Sequence, residues 1–273
     1  SASRVDQALG EGAAHRRLDD TERSEQVAAW LSELEGQYRY LIYATDGDNS
    51  SWSQRCIRQA DRILVIVDGA ASARATPQLK AFRDIRSRVP AELLIVHDDA
   101  ERTRAVPKDW AEAAGLDSIL HAFINRSDGF DRLVRLQTGR GLGLVLGGGG
   151  ARGFAHLGLW RALERQGIEF DVLGGSSMGA YVAGLMAMGM DANTGLANAR
   201  ESFVDTNYLN DYVVPRVALI SGKKFMRRLN EVFGDTRIEN LHVPYFCAST
   251  NLSQGESVAH RDGRIVESLA ASM

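Results

Sequence analysis

The sequence contains little cysteine, and neither charge is in large excess. Cys56 and Cys247 are its two cysteines among 273 residues, too few and too far apart to indicate a disulfide framework or a metal site. We therefore expect both to be reduced, buried thiols of a cytoplasmic protein. The net charge of −3 provides no general basic field, so nucleic-acid binding is not expected, although a local patch could still contact a membrane.

The sequence also lacks a signal peptide and a strong candidate for a membrane span. The best candidate is 172–190, which is nearly uncharged and contains Gly175-x-x-x-Gly179, a spacing found where transmembrane helices meet. Its leading glycines and serines, and the flanking Asp171 and Asp191, favour a buried strand end, a sharp turn and a core helix instead. The chain begins with serine rather than methionine, which suggests an excised fragment or a tag remnant.

Apolar runs alternate with helical patterns along the chain, which is typical of parallel sheets covered by helices. The content of 44% hydrophobic and 25% charged residues is that of a soluble globular protein. We predict an N-terminal linker and helix over 1–37, with 1–18 as the linker. We also predict a smaller α/β Rossmann-like domain over 38–138, followed by a parallel-sheet α/β domain over 139–273.

The predicted elements are short and regularly spaced. Strands are predicted at 38–44, 62–67, 92–97, 119–124, 141–146, 170–175 and 245–251. Helices are predicted at 19–36, 51–60, 76–89, 127–137, 151–167, 177–189, 191–203 and 222–233. A hairpin is predicted over 257–266, with its turn at Asp262-Gly263.

Four consecutive glycines, 147–150, separate a predicted strand from a predicted helix. One explanation is a dinucleotide-binding loop, because Gly148-x-Gly150-x-x-Gly153 fits that fingerprint and Asp171 lies about 20 positions further on. The other is an oxyanion hole, in which the exposed N–H groups stabilise a reacting acyl group. The two explanations predict different enzymes.

A second motif, Gly175-Ser176-Ser177-Met178-Gly179, fits G-x-S-x-G between a predicted strand and a predicted helix. A strand that turns sharply into a helix holds its nucleophile in a strained conformation, and the flanking glycines avoid clashes there. The Ser177 hydroxyl would lie at a helix N-terminus, where partial positive charge stabilises a developing anion. This motif favours the oxyanion explanation, because a ribose-binding acid should end the second strand, whereas Asp171 begins it.

The two motifs in tandem, "LGLVLGGGGARGFAHLG" and "DVLGGSSMGAYVAG", resemble the patatin-like phospholipase family. In the first half, "YLIYATDGDNSSWSQRCIRQADRILVIVDG" and "ELLIVHDD" resemble the segment before the catalytic domain in neuropathy target esterase and its bacterial relatives. The resemblance covers the chain from about 38 to 273. It implies a lysophospholipase or carboxylic esterase that uses a Ser–Asp dyad, without a cofactor or a metal, in the cytoplasm or peripherally on a membrane.

The resemblance also implies roles for individual residues. Ser177 would be the nucleophile, and Gly175 and Gly179 would shape its elbow. The oxyanion loop would comprise Gly148, Gly149, Gly150, Arg152 and Gly153. Relatives carry cyclic-nucleotide-binding domains upstream. The resemblance therefore implies such a domain in the parent protein, although no residue of this sequence indicates it.

The partner aspartate is the missing part of this assignment. In the family it lies in a D-G-G or D-G-A motif, after a helix whose beginning "ESLAASM" resembles, and the chain stops at Met273 before that position. Asp262-Gly263 precedes this helix and is followed by Arg264, so we interpret it as a turn rather than the base. We therefore expect the chain to be a fragment whose base lies beyond Met273.

Three alternatives stay open from the sequence. The chain could be a dinucleotide-dependent oxidoreductase that uses 141–171, or a non-catalytic regulatory module, which the missing aspartate would permit. His156 could also serve as a base, although a histidine one turn into an amphipathic helix is more often a structural hydrogen-bonding residue. The first half has no glycine-rich fingerprint, so a structural or regulatory role is favoured for it over nucleotide binding.

Overall fold

A computed structural model describes most of the chain, and its contacts separate two compact units, Ser1–Gly139 and Arg140–Met273. The described residues are 13–16, 24–45, 50–71, 79, 82, 89–98, 108–116, 118–206, 212 and 221–273. Both units combine helices with parallel strands, so the predicted α/β class is confirmed. Most of the helix predicted at 76–89 lies outside the described residues.

The first unit contains two parallel sheets. Its strands are β1 (Ala13–Arg16), β2 (Tyr40–Tyr43), β3 (Ile63–Asp68), β4 (Ala91–His97) and β5 (Ile119–Phe123). Its helices are α1 (Ser24–Gln37), α2 (Ser51–Gln59), α3 (Lys108–Ala114) and α4 (Asp128–Gln137). Strand β1 pairs with β2, and β3, β4 and β5 form a sheet in that order.

The central strand of the larger sheet is the most buried part of this unit. Leu93, Leu94 and Ile95 of β4 are almost fully buried and pack on both faces of the sheet. An apolar run without alternation is expected for a parallel strand that is covered on both sides. His97 and His121 are also buried, and their rings share a hydrogen bond of 2.9 Å.

The sequence predictions for this unit are confirmed for most elements and wrong for two segments. The linker predicted over 1–18 is wrong at Ala13–Arg16, where four residues form β1. Helix α3 was not predicted, because "KDWAEAA" offers only about two turns of periodicity. Its Trp110 and Ala114 are nevertheless buried against the sheet.

The second unit is built on one four-stranded sheet. Its strands are β6 (Gly143–Leu146), β7 (Val172–Ser176), β8 (Tyr245–Asn251) and β9 (Glu256–His260). They pair in that order, with β6, β7 and β8 parallel and β9 antiparallel at the edge. The helices are α5 (Phe154–Arg165), α6 (Met178–Ala187), α7 (Ala192–Arg200), α8 (Lys223–Phe233) and α9 (Ile265–Ser272).

Helix α6 lies in the centre of the core of this unit. Nine of its ten residues are buried, from Met178 to Ala187 with the exception of Met186. A helix that is apolar on all sides is expected either in the core of a protein or across a membrane, and here protein surrounds it. Since it follows β7 after a single residue, its packing fixes the position of Ser177.

The hairpin predicted over 257–266 is wrong. The β8–β9 turn lies at 252–255, and residues from Ile265 onward form α9 instead of a strand. The Asp262-Gly263 signal is therefore a loop before a helix, in which the Gly263 N–H donates to Glu239 at 2.8 Å. The candidate span 172–190 is divided between β7 and α6, and none of the helices in the described part of the chain has the length and apolarity to cross a bilayer.

Candidate active site

Ser177 occupies a strained backbone position between β7 and α6. Its φ of 52° and ψ of −128° make it the one non-glycine residue with positive φ among the described residues. Such a conformation costs about 1–3 kcal/mol and persists only where the surroundings impose it. The predicted strand, sharp turn and helix are therefore present at the G-x-S-x-G motif.

The two glycines of this motif lie where three backbone segments meet. A Cβ atom added to Gly179 would lie 2.1 Å from the Leu146 carbonyl oxygen and 2.5 Å from that of Gly147. A Cβ atom on Gly175 would lie 2.6 Å from the same Leu146 oxygen. Only glycine fits at these positions, because the obstructing atoms are backbone and cannot rotate away. This close contact brings the end of β6 against the first turn of α6.

The glycine loop after β6 reaches Ser177 directly. A Cβ atom on Gly148 would lie 3.2 Å from the Cβ atom of Ser177. Gly150 has a φ of 53° and begins a 3₁₀ turn that ends at Gly153. Among the described residues, the N–H groups of Gly148, Gly149 and Gly150 have no hydrogen-bond acceptor. The loop therefore carries free backbone donors, and Gly148, the first of these three residues, lies against the serine.

Gly153 anchors the other end of the loop. A Cβ atom there would lie 2.1 Å from Cγ of Met178, the residue after the serine. Arg152 is exposed, and in the described part of the chain its guanidinium group has no ion pair. Its backbone N–H donates to the Gly149 carbonyl at 3.1 Å, which closes the turn.

His156 supports the loop. Its Nε2 atom lies 2.9 Å from the Gly147 carbonyl oxygen, so that nitrogen carries the proton and donates it. The contact joins the first turn of α5 to the beginning of the glycine run. This is the structural role that the sequence favoured for His156 over that of a base.

Asp171 lies at the opposite edge of the sheet from the glycine loop. It precedes β7, is 1% exposed, and accepts the Leu142 N–H at 2.9 Å. Its own N–H donates to the Leu142 carbonyl at 2.7 Å. Asp171 therefore fixes the beginning of β6 to the beginning of β7. It is not at the carboxyl ends of the strands, where a ribose-binding carboxylate is needed.

Ser272 contacts the elbow from α9, and sequence reasoning missed it. The Ser177 N–H donates to Ser272 Oγ at 2.7 Å, and Ser272 Oγ donates to the Ala248 carbonyl at 2.6 Å. No local pattern could have indicated this contact, because the two serines are 95 positions apart. The Ser177 hydroxyl itself has no hydrogen-bond partner among the described residues.

Two other histidines, His242 and His260, and Asp262 could each act as a base by their chemistry, but they lie elsewhere. His260 Nε2 is 2.7 Å from Ser249 Oγ. His242 precedes β8, and Asp262 follows the antiparallel β9, so both lie toward the edge of the sheet opposite Ser177. No carboxylate in the described ranges hydrogen-bonds to Ser177, and no group of three or more acidic, histidine or cysteine residues there could hold a metal ion.

A buried polar network lies behind the elbow. The Tyr181 N–H donates to the Ser177 carbonyl, and the Tyr181 hydroxyl lies 3.2 Å from Ser202 Oγ. Burial raises the pKa of Tyr181, so its hydroxyl stays protonated. Arg228, itself buried, donates to Ser202 at 2.9 Å and to Glu201 at 2.7 Å. This network holds the first turn of α6 against a π-helical turn at 201–205.

Comparison with known proteins identifies a family for each half of the chain. Residues 144–273 match the patatin-like phospholipase family. Residues 2–117 match the Neuropathy Target Esterase family P-loop like domain. The second unit is therefore a patatin-like phospholipase domain, preceded by a domain of the neuropathy target esterase family, and the family resemblance recognised in the sequence is confirmed.

Individual relatives match over most of the chain. The chain is 31% identical over 278 residues to patatin-like phospholipase domain-containing protein 6 of Homo sapiens. The aligned region covers 91% of the chain and 20% of the relative. It is 30% identical over 279 residues to neuropathy target esterase sws of Drosophila melanogaster, with the same coverage. The chain thus spans about a fifth of the length of these relatives. The names of these relatives describe a phospholipase domain and an esterase.

Proposed function

We propose that the protein is a serine lipid hydrolase, a lysophospholipase or carboxylic esterase, with Ser177 as its nucleophile. The observation that carries the proposal is the contact between Gly148 and Ser177, which sets free backbone donors beside a hydroxyl on a strained elbow. The patatin-like phospholipase match over 144–273 supports the same chemistry.

In the proposed reaction, Ser177 Oγ attacks the carbonyl carbon of the ester as its proton passes to a base. The negative charge moves to the carbonyl oxygen, which the N–H groups of Gly148, Gly149 and Gly150 then stabilise. Each such donor contributes about 3 kcal/mol to transition-state stability. The intermediate collapses to an acyl-enzyme as the alcohol leaves with a proton, and water then releases the fatty acid.

The base is proposed to be an aspartate located beyond Met273. The Ser177 hydroxyl has no side-chain partner within the described residues, and His156 and His260 are engaged elsewhere. Arg152, exposed at the end of the glycine loop, is proposed to face the anionic head group or the oxyanion.

The substrate is proposed to reach the site from a membrane surface, with the protein bound peripherally from the cytoplasm. Leu252 supports this orientation. It is 90% exposed in the β8–β9 turn, and the carboxyl end of β8 lies at the same edge of the sheet as Ser177. Asn251 makes this turn rigid by accepting the N–H groups of Ser253 and Gln254.

The test is fatty-acid release from a lysophospholipid by the protein that carries this chain. Ser177→Ala should lower kcat by at least about a thousandfold. Ser176→Ala is the matched control, because it removes a hydroxyl from the adjacent residue and should retain activity. Equal activity in both variants would refute the proposal, as would tight NAD binding that depends on 147–150.

A further inference from the structure

The strained conformation of Ser177 needs a cause outside its own sequence motif. Glycines 175 and 179 permit the close approach of the segments, but they do not hold the Ser177 peptide group in place. The N–H of Ser177 makes one hydrogen bond, to Ser272 Oγ at 2.7 Å. That bond is the direct restraint on the peptide group that precedes the strained residue.

Two backbone hydrogen bonds set the direction of the Ser272 hydroxyl proton. A carbonyl oxygen only accepts and an amide N–H only donates, so Ser272 must give its single proton to Ala248 and offer a lone pair to Ser177. Ala248 is itself paired with Ser176 in the β7–β8 ladder. The hydroxyl therefore ties the elbow to the neighbouring strand in a defined direction.

Helix α9 presents Ser272 from a rigid position. Ile265, Val266 and Leu269 are fully buried in the core of the unit. The Cys247 thiol on β8 also contacts the α9 backbone, with its Sγ 3.3 Å from the Ser268 carbonyl oxygen. These contacts leave the last turn of α9 little freedom to move away from the elbow.

We propose that Ser272 is a positioning residue for the nucleophile, holding the Ser177 backbone in the conformation that presents its hydroxyl to the glycine loop. The inference rests on the proposed role of Ser177. It has a further consequence for the oxyanion hole: the Ser177 N–H is occupied by Ser272 and is therefore not available as an oxyanion donor.

Kinetic measurements on the protein that carries this chain test the proposal. Ser272→Ala should lower kcat for lysophospholipid hydrolysis about tenfold, the size of one lost hydrogen bond, with KM changed by less than about twofold. Ser272→Thr, which restores a hydroxyl, should recover most of the rate. Ser268→Ala is the control, since its hydroxyl contacts the α9 backbone and not Ser177, and it should keep the wild-type kcat.

The outcomes separate this proposal from the proposed function. If Ser177→Ala is inactive but Ser272→Ala has the wild-type kcat, the positioning role of Ser272 is refuted and Ser177 remains the nucleophile. The same conclusion follows if the kcat of Ser268→Ala falls as far as that of Ser272→Ala. If Ser177→Ala is active, the proposed function itself fails. Amide hydrogen exchange of wild-type Ser177 is the second measurement and needs no variant. Slow exchange is expected, and exchange at the rate of an open amide would overturn the proposal.

Discussion

Gly179→Ala tests the claim that the elbow depends on backbone contact between β6 and α6. The added Cβ would lie 2.1 Å from the Leu146 oxygen, 2.4 Å from its carbon and 2.5 Å from the Gly147 oxygen. Overpacking in a core costs about 1–3 kcal/mol, and we expect the upper end because none of these atoms belongs to a side chain. A loss of about 3 kcal/mol should lower the unfolding temperature of this unit by about 10 °C.

The control for this substitution is Gly158→Ala in α5. No atom lies within 4 Å of a Cβ built at Gly158, so alanine should stabilise the helix by about 0.5–1 kcal/mol. Thermal unfolding followed by scanning calorimetry measures both variants, and lysophospholipid hydrolysis reports on the elbow. An unchanged unfolding temperature and rate for Gly179→Ala would refute the contact argument.

Three further predictions concern side chains around the sheet. Arg152→Ala should lower kcat/KM for a lysophospholipid more than Arg152→Lys, because lysine keeps the charge; equal losses would contradict the proposed electrostatic role. Asp171→Ala should destabilise the unit by about 1–3 kcal/mol in urea unfolding, since the Leu142 N–H loses its hydrogen bond to the buried Asp171 carboxylate, while labelling of Ser177 by a fluorophosphonate at low temperature persists. Burial raises the pKa of Cys247 above its value in the unfolded chain. The protonated thiol therefore makes its full contribution to the free energy of unfolding below the unfolded-state pKa of about 8.5, and this contribution is lost as the pH rises toward the pKa of the folded state. The unfolding temperature of Cys247→Ala should therefore fall less steeply above pH 8.5 than that of the wild type.

The sequence was sufficient to predict the elements that carry strong local patterns. The apolar strand before Gly147, the helix after Gly153 and the G-x-S-x-G turn all follow from hydrophobic periodicity and glycine spacing within about 40 residues. Asp171 was expected at the start of its strand, and it lies immediately before β7, which begins at Val172. These features need no information from distant parts of the chain.

The features that sequence reasoning missed depend on contacts between distant segments. Asp262-Gly263 has the composition of a hairpin turn, but the buried Ile265, Val266 and Leu269 make the following residues a helix that packs on α6 and α8. Ser272 has no motif of its own, and its contact with Ser177 exists only because β8 and α9 pack beside the elbow. Tertiary packing decided both cases.

The central claim, that Ser177 is the reactive nucleophile, is tested most directly by locating a covalent adduct. The protein that carries this chain is treated with a fluorophosphonate, digested, and analysed by mass spectrometry. We predict a single phosphonylated serine at Ser177, lost in Ser177→Ala and retained in Ser176→Ala. An adduct on any other residue, or labelling that persists in Ser177→Ala, would contradict the account.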